Sequence, residues 1–343
     1  MTNHSAHSHR NRPAKAGSAS SKTMSGKAAT NDNERKDVYQ VVTDSIITIL
    51  EKGARPWAQS WNDAGGSTMP LRHGGDRYRG INVLILWGAQ AAGGYQSPYW
   101  MTYRQAGELG GQVRKGEKGT MVVYYGTAAK QDAPDETADD GGATHYRFLK
   151  TFFVFNADQI DGLPERYAVK SAPVTPAADR IPELESMVAA TGAAIHHGGN
   201  RAFYRPGTDT VTMPAFEQFK SPEFYYATLF HELAHWTKAP NRLARDFGST
   251  SWGDEGYAKE ELVAELASAF MGAEFGFAPE HIEDHASYLA SWLKSLRNDK
   301  RLIFTAAAKA QAAVNVIVSG VGSDHKHRGL SQSPIATPCF ESL

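Results

Sequence analysis

Ser221–Lys238 reads SPEFYYATLFHELAHWTK, and the reading of this stretch decides the rest. Ser221 can cap a helix, Pro222 suits its first position, and Glu223 meets the positive end of its dipole. Pro240 marks the stop. In a helix His231 and His235 lie one turn apart on the same face and can present nitrogens to one zinc ion. Glu232 is rotated from that line by about 100° at 3.6 residues per turn. A carboxylate there sits beside an open coordination position, where it can take a proton from water. The competing reading is a surface helix that happens to carry two histidines. Chance would supply roughly 0.03 such motifs in a chain of this composition. Phe224, Leu229, Phe230, Leu233 and Ala234 make the helix apolar on most sides, so the histidines are expected in a buried setting that requires a partner for them.

Working outward, a catalytic zinc site has three protein ligands and one open position. Downstream, Tyr257–Phe270 (YAKEELVAELASAF) is strongly helical and offers Glu260, Glu261 and Glu265, the last two on one face. Leu262, Val263, Leu266, Ala267 and Phe270 make this helix largely apolar. At least one carboxylate is therefore expected to point inward and not to belong to a solvated acidic face. Helical periodicity continues at about 281–297 and 300–318. Upstream, SAPVTPAADR (171–180) has linker composition, 181–191 reads as a helix, and Arg201–Arg205 with Thr208–Met213 read as a hairpin around Pro206-Gly207. That hairpin directly precedes the active helix and is expected to rim a cleft where an extended peptide could pair with an exposed strand.

The amino-terminal half has a different texture. Val38–Leu50 repeats apolar residues at helical spacing, and 81–87 and 102–109 read as further helices. Thr120–Tyr125 and Arg147–Phe155 read as paired strands joined by the acidic QDAPDETADDGG. From Glu51 to Gly126 nine Lys/Arg face five Asp/Glu, a local excess of +4 hidden in the chain's net charge of -1. Aromatics interleave with these cations, as in RYRG and YWMTYRQ. Single-stranded DNA needs a cationic groove for phosphates and flat aromatic faces for bases. Trp87 and Trp100, flanked by apolar residues, read as core. Trp61, Tyr78 and Tyr99 are the stacking candidates, and Arg72, Arg77 and Arg79 in one turn and Arg114, Lys115 and Lys118 in another are the candidates for phosphates.

The chain has 343 residues, enough for two domains, and one cysteine, Cys339, which excludes an intrachain disulfide and a cysteine-based zinc finger. Residues 1–32 and 320–343 are polar and expected to be loose, so His4, His7 and His9 read as a solvated tail. No signal-peptide or membrane-spanning run is expected, which places the protein in the cytoplasm with no membrane partner.

HELAH followed 26 residues after His235 by Glu261, within Glu-x-x-x-Glu, resembles the gluzincin arrangement of zinc metallopeptidases. That resemblance implies Glu261 as third ligand and Glu265 as the acceptor that holds His231 in its metal-binding tautomer. Gluzincins often have Asp at the last position, so a swap of roles between the two glutamates stays open. More widely, PWAQSW (56–61), YRGINVLILW (78–87), YWMTYRQAGELGGQVRKGEKGTMVVYY (99–125), FFVFNADQIDGLP (152–164), HELAHWT (231–237) and Tyr257–Phe270 resemble ArdC-type antirestriction proteins of conjugative plasmids. They also resemble the related amino-terminal region of TraC-type conjugative primases. The resemblance spans about 38–318. It implies an α+β fold of two domains: an amino-terminal α+β domain binding single-stranded DNA (33–170) and a mostly helical zincin-like metallopeptidase domain with a small sheet (181–319), joined by 171–180. It implies one Zn2+ per chain, Glu232 as catalytic base, protection of incoming plasmid DNA from restriction, and a protein substrate for which the host restriction machinery is the candidate. The rival reading is a DNA-coating antirestriction protein whose metal site is not a working peptidase.

Overall fold

The computed structural model describes residues 37–53, 55, 57, 69–129, 145–168, 179–248, 254–276 and 285–320. The amino-terminal tail, Trp61, the acidic segment, most of the linker and all but the first residue of the carboxy-terminal tail lie outside these residues. In chain order the amino-terminal half contains α1 (Val38–Glu51), β1 (Leu71–Arg72), α2 (Ile81–Gly93), β2 (Tyr99–Met101), α3 (Tyr103–Glu108), β3 (Gln112–Val113), β4 (Thr120–Ala129), β5 (His145–Asn156) and β6 (Ile160–Asp161). The Asp37 side chain accepts from the Tyr39 amide at 3.0 Å and starts α1, and Val42, Ile46 and Leu50 bury one stripe of it. Thr102 and Gln105 close a capping box on α3. Gly80 begins α2 at φ +56, a conformation that disfavours any residue with a Cβ. The principal sheet has the order β1-β2-β5-β4, and β4 and β5 pair antiparallel from Thr120↔Val154 to Ala129↔His145. The short β1, β2, β3 and β6, absent from the sequence reading, are two- and three-residue strands with too few positions to show a period of two.

The carboxy-terminal half contains α4 (Pro182–Thr191), β7 (Ala194–His197), β8 (Phe203–Arg205), β9 (Thr210–Met213), α5 (Pro222–Trp236), α6 (Glu255–Phe275), α7 (His285–Asn298) and α8 (Leu302–Ser319). The expected hairpin is β8–β9. It is joined by the unforeseen β7, which pairs parallel to β9 to give the order β7-β9-β8. α6 is the central helix: from Glu260 to Ala273 every residue is buried, glutamates included. α8 has the length and apolarity of a short membrane span, contrary to the expectation of no such run, but half of it is buried within the protein and Ile303, Ala306, Ala307, Ala310, Ala313 and Ile317 are fully enclosed. It is accounted for as a core helix.

The two halves share one core. Trp87 of α2 meets Phe270 of α6 with ring centroids 5.9 Å apart, Trp57 meets Trp292 of α7 at 6.0 Å, and Tyr39 of α1 meets Phe304 of α8 at 4.7 Å. Thr43 donates to the Lys300 carbonyl at 2.7 Å, and Glu51 pairs with Arg297 at the surface. Buried aromatics such as Trp87, Phe270 and Trp292 dominate core energetics, so the seam between the halves is built like a domain interior.

Candidate metal centre

α5 begins and ends differently from the sequence expectation. Ser221 occupies the cap position in extended conformation, but its hydroxyl makes no capping hydrogen bond, leaving Pro222 and Glu223 to favour the first turn. The helix ends at Trp236, before Pro240 could stop it. Thr237 Oγ1 donates to the Ala234 carbonyl at 2.6 Å, and Arg245 donates to both Ala234 O and Thr237 Oγ1, each at 2.6 Å. Side-chain donors thus satisfy carbonyls left open at the helix end.

His231, Glu232 and His235 are all buried. The two Nε2 atoms lie 3.2 Å apart, Glu261 Oε2 lies 3.4 Å from His231 Nε2, and Glu261 Oε1 lies 3.5 Å from His235 Nε2. Donors bonded to one tetrahedral zinc at about 2.0–2.1 Å stand about 3.3 Å from one another. The three side chains therefore already have the mutual spacing of ligands around one ion, and their donor set of two imidazole nitrogens and one carboxylate suits such an ion. Glu261, one of the two glutamates left open by the sequence, is the member that joins the histidines.

The neighbours fix this geometry. His235 Nδ1 is 3.3 Å from Glu260 Oε1, and Glu260 is itself held by Arg245 at 2.7 Å. One arginine thus closes the end of α5 and anchors the carboxylate that orients His235. Tyr257, one turn before Glu261 on α6, accepts from Tyr288 at 3.3 Å, and burial, with Tyr288 and the Glu261 charge adding to it, holds its phenol well above the ordinary range. Glu265 departs from its expected contact: its Oε2 is 3.9 Å from His231 Nδ1, beyond hydrogen-bond range, while its Oε1 accepts from Arg55 at 3.0 Å.

The centre is anionic by construction. Burial opposes charge on His235, yet Glu261 and Glu260 outweigh it and push its pKa up to about 10. Burial also opposes the Glu260 carboxylate, but His235 and Arg245 hold it down to about 2. Glu261 lies well below the ordinary carboxylate range despite burial, with the His235 charge the main cause, and His231 is raised because its hydrogen bond to Glu261 overcomes desolvation. Such a pocket requires positive charge, supplied either by protons on the imidazoles or by a cation.

The β8–β9 hairpin is tied to the same helix end. Arg242 makes a two-pronged pair with Asp209 at 2.5 and 3.0 Å, donates to the Trp236 carbonyl at 2.7 Å, and stacks over the Trp236 ring at 3.9 Å. Tyr204 of β8 donates to Asp209 at 2.9 Å. None of Arg55, Arg242 or Arg245 had a sequence signal, because an arginine in a polar loop gives no clue to its distant partner.

In the amino-terminal half the candidate DNA residues scatter. Tyr78 is buried, with Arg72 5.5 Å from its ring centre, and so offers no face to a base. Tyr99 is half-buried and packs edge-on against Tyr167 at 5.1 Å. Arg77 is engaged by Glu274 of α6, and Arg79 is exposed. Arg114 is exposed but tethered to Glu117 at 2.9 Å and Asp161 at 3.5 Å, while Lys115 and Lys118 are exposed. The exposed aromatics among the described residues are others: Tyr103, Tyr125, Phe152 and Phe153, of which Tyr103 at 57% and Phe153 at 60% are the most open. Phe155, on the same side of β5 as Phe153, lies 6.4 Å from Tyr103, and both line a groove with Gln112, Arg114 and Lys115. Gly119 lies directly against Phe153 and Phe155.

Comparison with known proteins agrees with this division. A family described as zincin-like metallopeptidase matches residues 182–309, and one described as the N-terminal domain of anti-restriction factor ArdC matches residues 36–155. The Sinorhizobium fredii protein y4eC, itself uncharacterised, is 43% identical over 279 residues, covering 80% of this chain and 89% of that protein. A DNA primase TraC of Escherichia coli is 41% identical over 300 residues, covering 83% of this chain but only 27% of the primase. Crystal structures of the antirestriction ArdC protein of plasmid R388, metal-free and Mn(II)-bound, are 46% and 45% identical with TM-scores of 0.70 and 0.68. Each covers 82% of this chain, which in turn covers 96% and 97% of theirs. With an ArdC amino-terminal domain followed by a zincin-like domain whose His/His/Glu cluster suits a divalent metal, the chain belongs to the ArdC family of antirestriction proteins.

Proposed function

We propose that this antirestriction protein binds single-stranded DNA through its amino-terminal half and hydrolyses a protein substrate at a zinc site held by His231, His235 and Glu261, with Glu232 as catalytic base. The observation that carries the peptidase reading is the ligand-like spacing of three buried donors with Glu232 buried next to one of them. A metal serving structure alone needs no base there. Zinc, when bound, supplies Lewis acidity toward a peptide carbonyl and toward water. Glu232 takes the proton of the attacking water on its carboxylate and delivers it to the leaving amine. Glu260 and Arg245 keep His235 in place, and β8, bordered by a single strand among the described residues, offers main-chain donors and acceptors to an extended peptide.

For DNA, we place the bases on Tyr103, Phe153 and Phe155 and the phosphates along Arg114, Lys115 and Lys118, which keeps part of the cationic half of the sequence expectation and replaces its aromatics. Action in the cytoplasm, where incoming DNA meets restriction, fits this reading, and a component of the host restriction machinery is the substrate class to test. The deciding experiment compares wild type with Glu232→Gln in a peptidase assay on such proteins, with and without single-stranded DNA. Cleavage by wild type and its loss in the variant, with zinc retained in both, is the expected result.

A further inference from the structure

Among the described residues, one charged side chain of the amino-terminal half reaches the surroundings of the metal centre. Arg55 follows α1 by four residues, and both it and Glu265 of α6 are nearly enclosed, with side-chain exposures of 11% and 10%. A guanidinium is seldom this buried unless paired, and the pair is made: Arg55 Nη1 donates to Glu265 Oε1 at 3.0 Å. The other carboxylate oxygen, Oε2, faces His231 Nδ1 at 3.9 Å, and the opposite nitrogen of that ring, Nε2, belongs to the donor triad. Two residues along, Trp57 is buried against Trp292 of α7, which anchors the chain next to Arg55 on the carboxy-terminal half.

Guanidinium, carboxylate and imidazole thus stand in line, the first two joined by a hydrogen bond and the last faced by Oε2 across 3.9 Å. A carboxylate near Nδ1 favours the tautomer with its proton there and the lone pair on Nε2, and residues behind a ligand are what keep its ring so disposed. Glu265 can do this only if its own orientation is fixed, and an arginine donor on Oε1 fixes it while leaving Oε2 toward the ring. We infer that Arg55 is a positioning residue of the metal centre, acting through Glu265 on His231, so that the DNA-binding half completes the metal site of the peptidase half. The inference rests on the reading of His231, His235 and Glu261 as a zinc site.

The test is a double-mutant cycle in the full chain, with zinc affinity measured by competition against a chelator and geometry followed by the visible absorption of the Co(II)-loaded protein. Arg55→Met keeps an apolar, unbranched stem and removes the donors. It is expected to weaken zinc binding about 10–100-fold and to shift the cobalt bands, as loss of a supporting residue typically does. Glu265→Gln should weaken binding too, and the double variant should bind no more weakly than Glu265→Gln alone. Wild-type affinity and spectrum in Arg55→Met, or losses that simply multiply in the double variant, would overturn the inference. Should Arg55→Met not fold, the comparison of Glu265→Gln with the double variant decides alone, a further loss counting against it. His231→Ala separates the two readings: if it retains zinc at wild-type affinity, the metal site itself is misassigned, whereas loss there with no change in Arg55→Met refutes only the role of Arg55.

Discussion

The two halves of this molecule answer differently to the same kind of reading. In the metal centre, His231 and His235 share one face as their spacing requires, and Glu261, which the gluzincin resemblance implied, lies with them. On the amino-terminal surface, the aromatics singled out as base-stacking platforms include Tyr78, which is core, and Tyr99, which is half-buried, whereas Tyr103 and Phe153 are the most exposed rings among the described residues. The contrast is one of geometry. A metal demands donors at fixed separations, and two histidines four residues apart on a helix meet that demand within one turn, in sequence, before any tertiary contact exists. Stacking demands only that a ring be exposed, and exposure is set by what packs against it from elsewhere in the chain.

The contrast is sharpest at Glu232, where the largest effect is expected. Glu232→Gln should keep zinc and fold while peptidase turnover falls about 10²–10⁴-fold, the range typical for loss of a general base. Measured alongside protection of DNA, the same variant tests the rival reading: undiminished protection would make the intact geometry a binding device. Next in size are the ligands. His231→Ala and Glu261→Ala should lose zinc in metal analysis of the purified protein, whereas Glu265→Ala should weaken it without abolishing it. Full occupancy in Glu261→Ala with loss in Glu265→Ala would reverse the assignment that the 3.4 and 3.5 Å approaches of Glu261 support.

The seam between the halves supplies the third test. Trp87→Ala should cost about 3–5 kcal/mol, the usual range for a buried aromatic truncated to alanine. Because its partner Phe270 lies on α6, with Glu261 and Glu265, the loss should appear as one earlier thermal transition for the whole chain. Two separated transitions would show that the halves unfold independently despite the shared core.

What was legible in the sequence follows the range of the interactions. Long elements, such as α1, α6, α8 and the β4–β5 pair, were readable because each carries its own signal: an apolar stripe in α1, a largely apolar run in α6 and α8, and β-branched and aromatic residues together in β4 and β5. The two-residue β1 and β3 and the parallel β7, with His196 and His197, carried none. At the metal centre the ligands were local or resembled a known pattern, but their supports were not: Arg245 is 15 residues from Glu260 and Arg55 is 210 from Glu265. For the three glutamates of α6, the apolar surroundings required only that at least one point inward; the fold buries all three, with Glu261 between the histidines, Glu260 at His235 and Arg245, and Glu265 at Arg55.

The smallest effects belong to DNA, and they bear most directly on the amino-terminal half, where exposure and sequence reading part. Tyr103→Ala and Phe153→Ala should each weaken single-strand binding by about 1–3 kcal/mol if bases stack there. Tyr78→Ala, by contrast, should lower thermal stability, because its ring is enclosed. Stacking releases no counterions, so the two exposed-ring variants should leave the salt dependence of affinity unchanged. Lys115→Ala and Lys118→Ala should each flatten the log–log slope by about 0.7, the increment for one phosphate of a single strand that is no longer neutralised. Arg114→Ala should change the slope less than either lysine, since its charge is already partly met by Glu117 and Asp161. A titration series at several salt concentrations resolves a slope change of this size. If Tyr103 and Phe153 prove silent while Arg79→Ala alters both affinity and slope, the single strand follows the 72–80 turn, and the surface of β5 has another purpose.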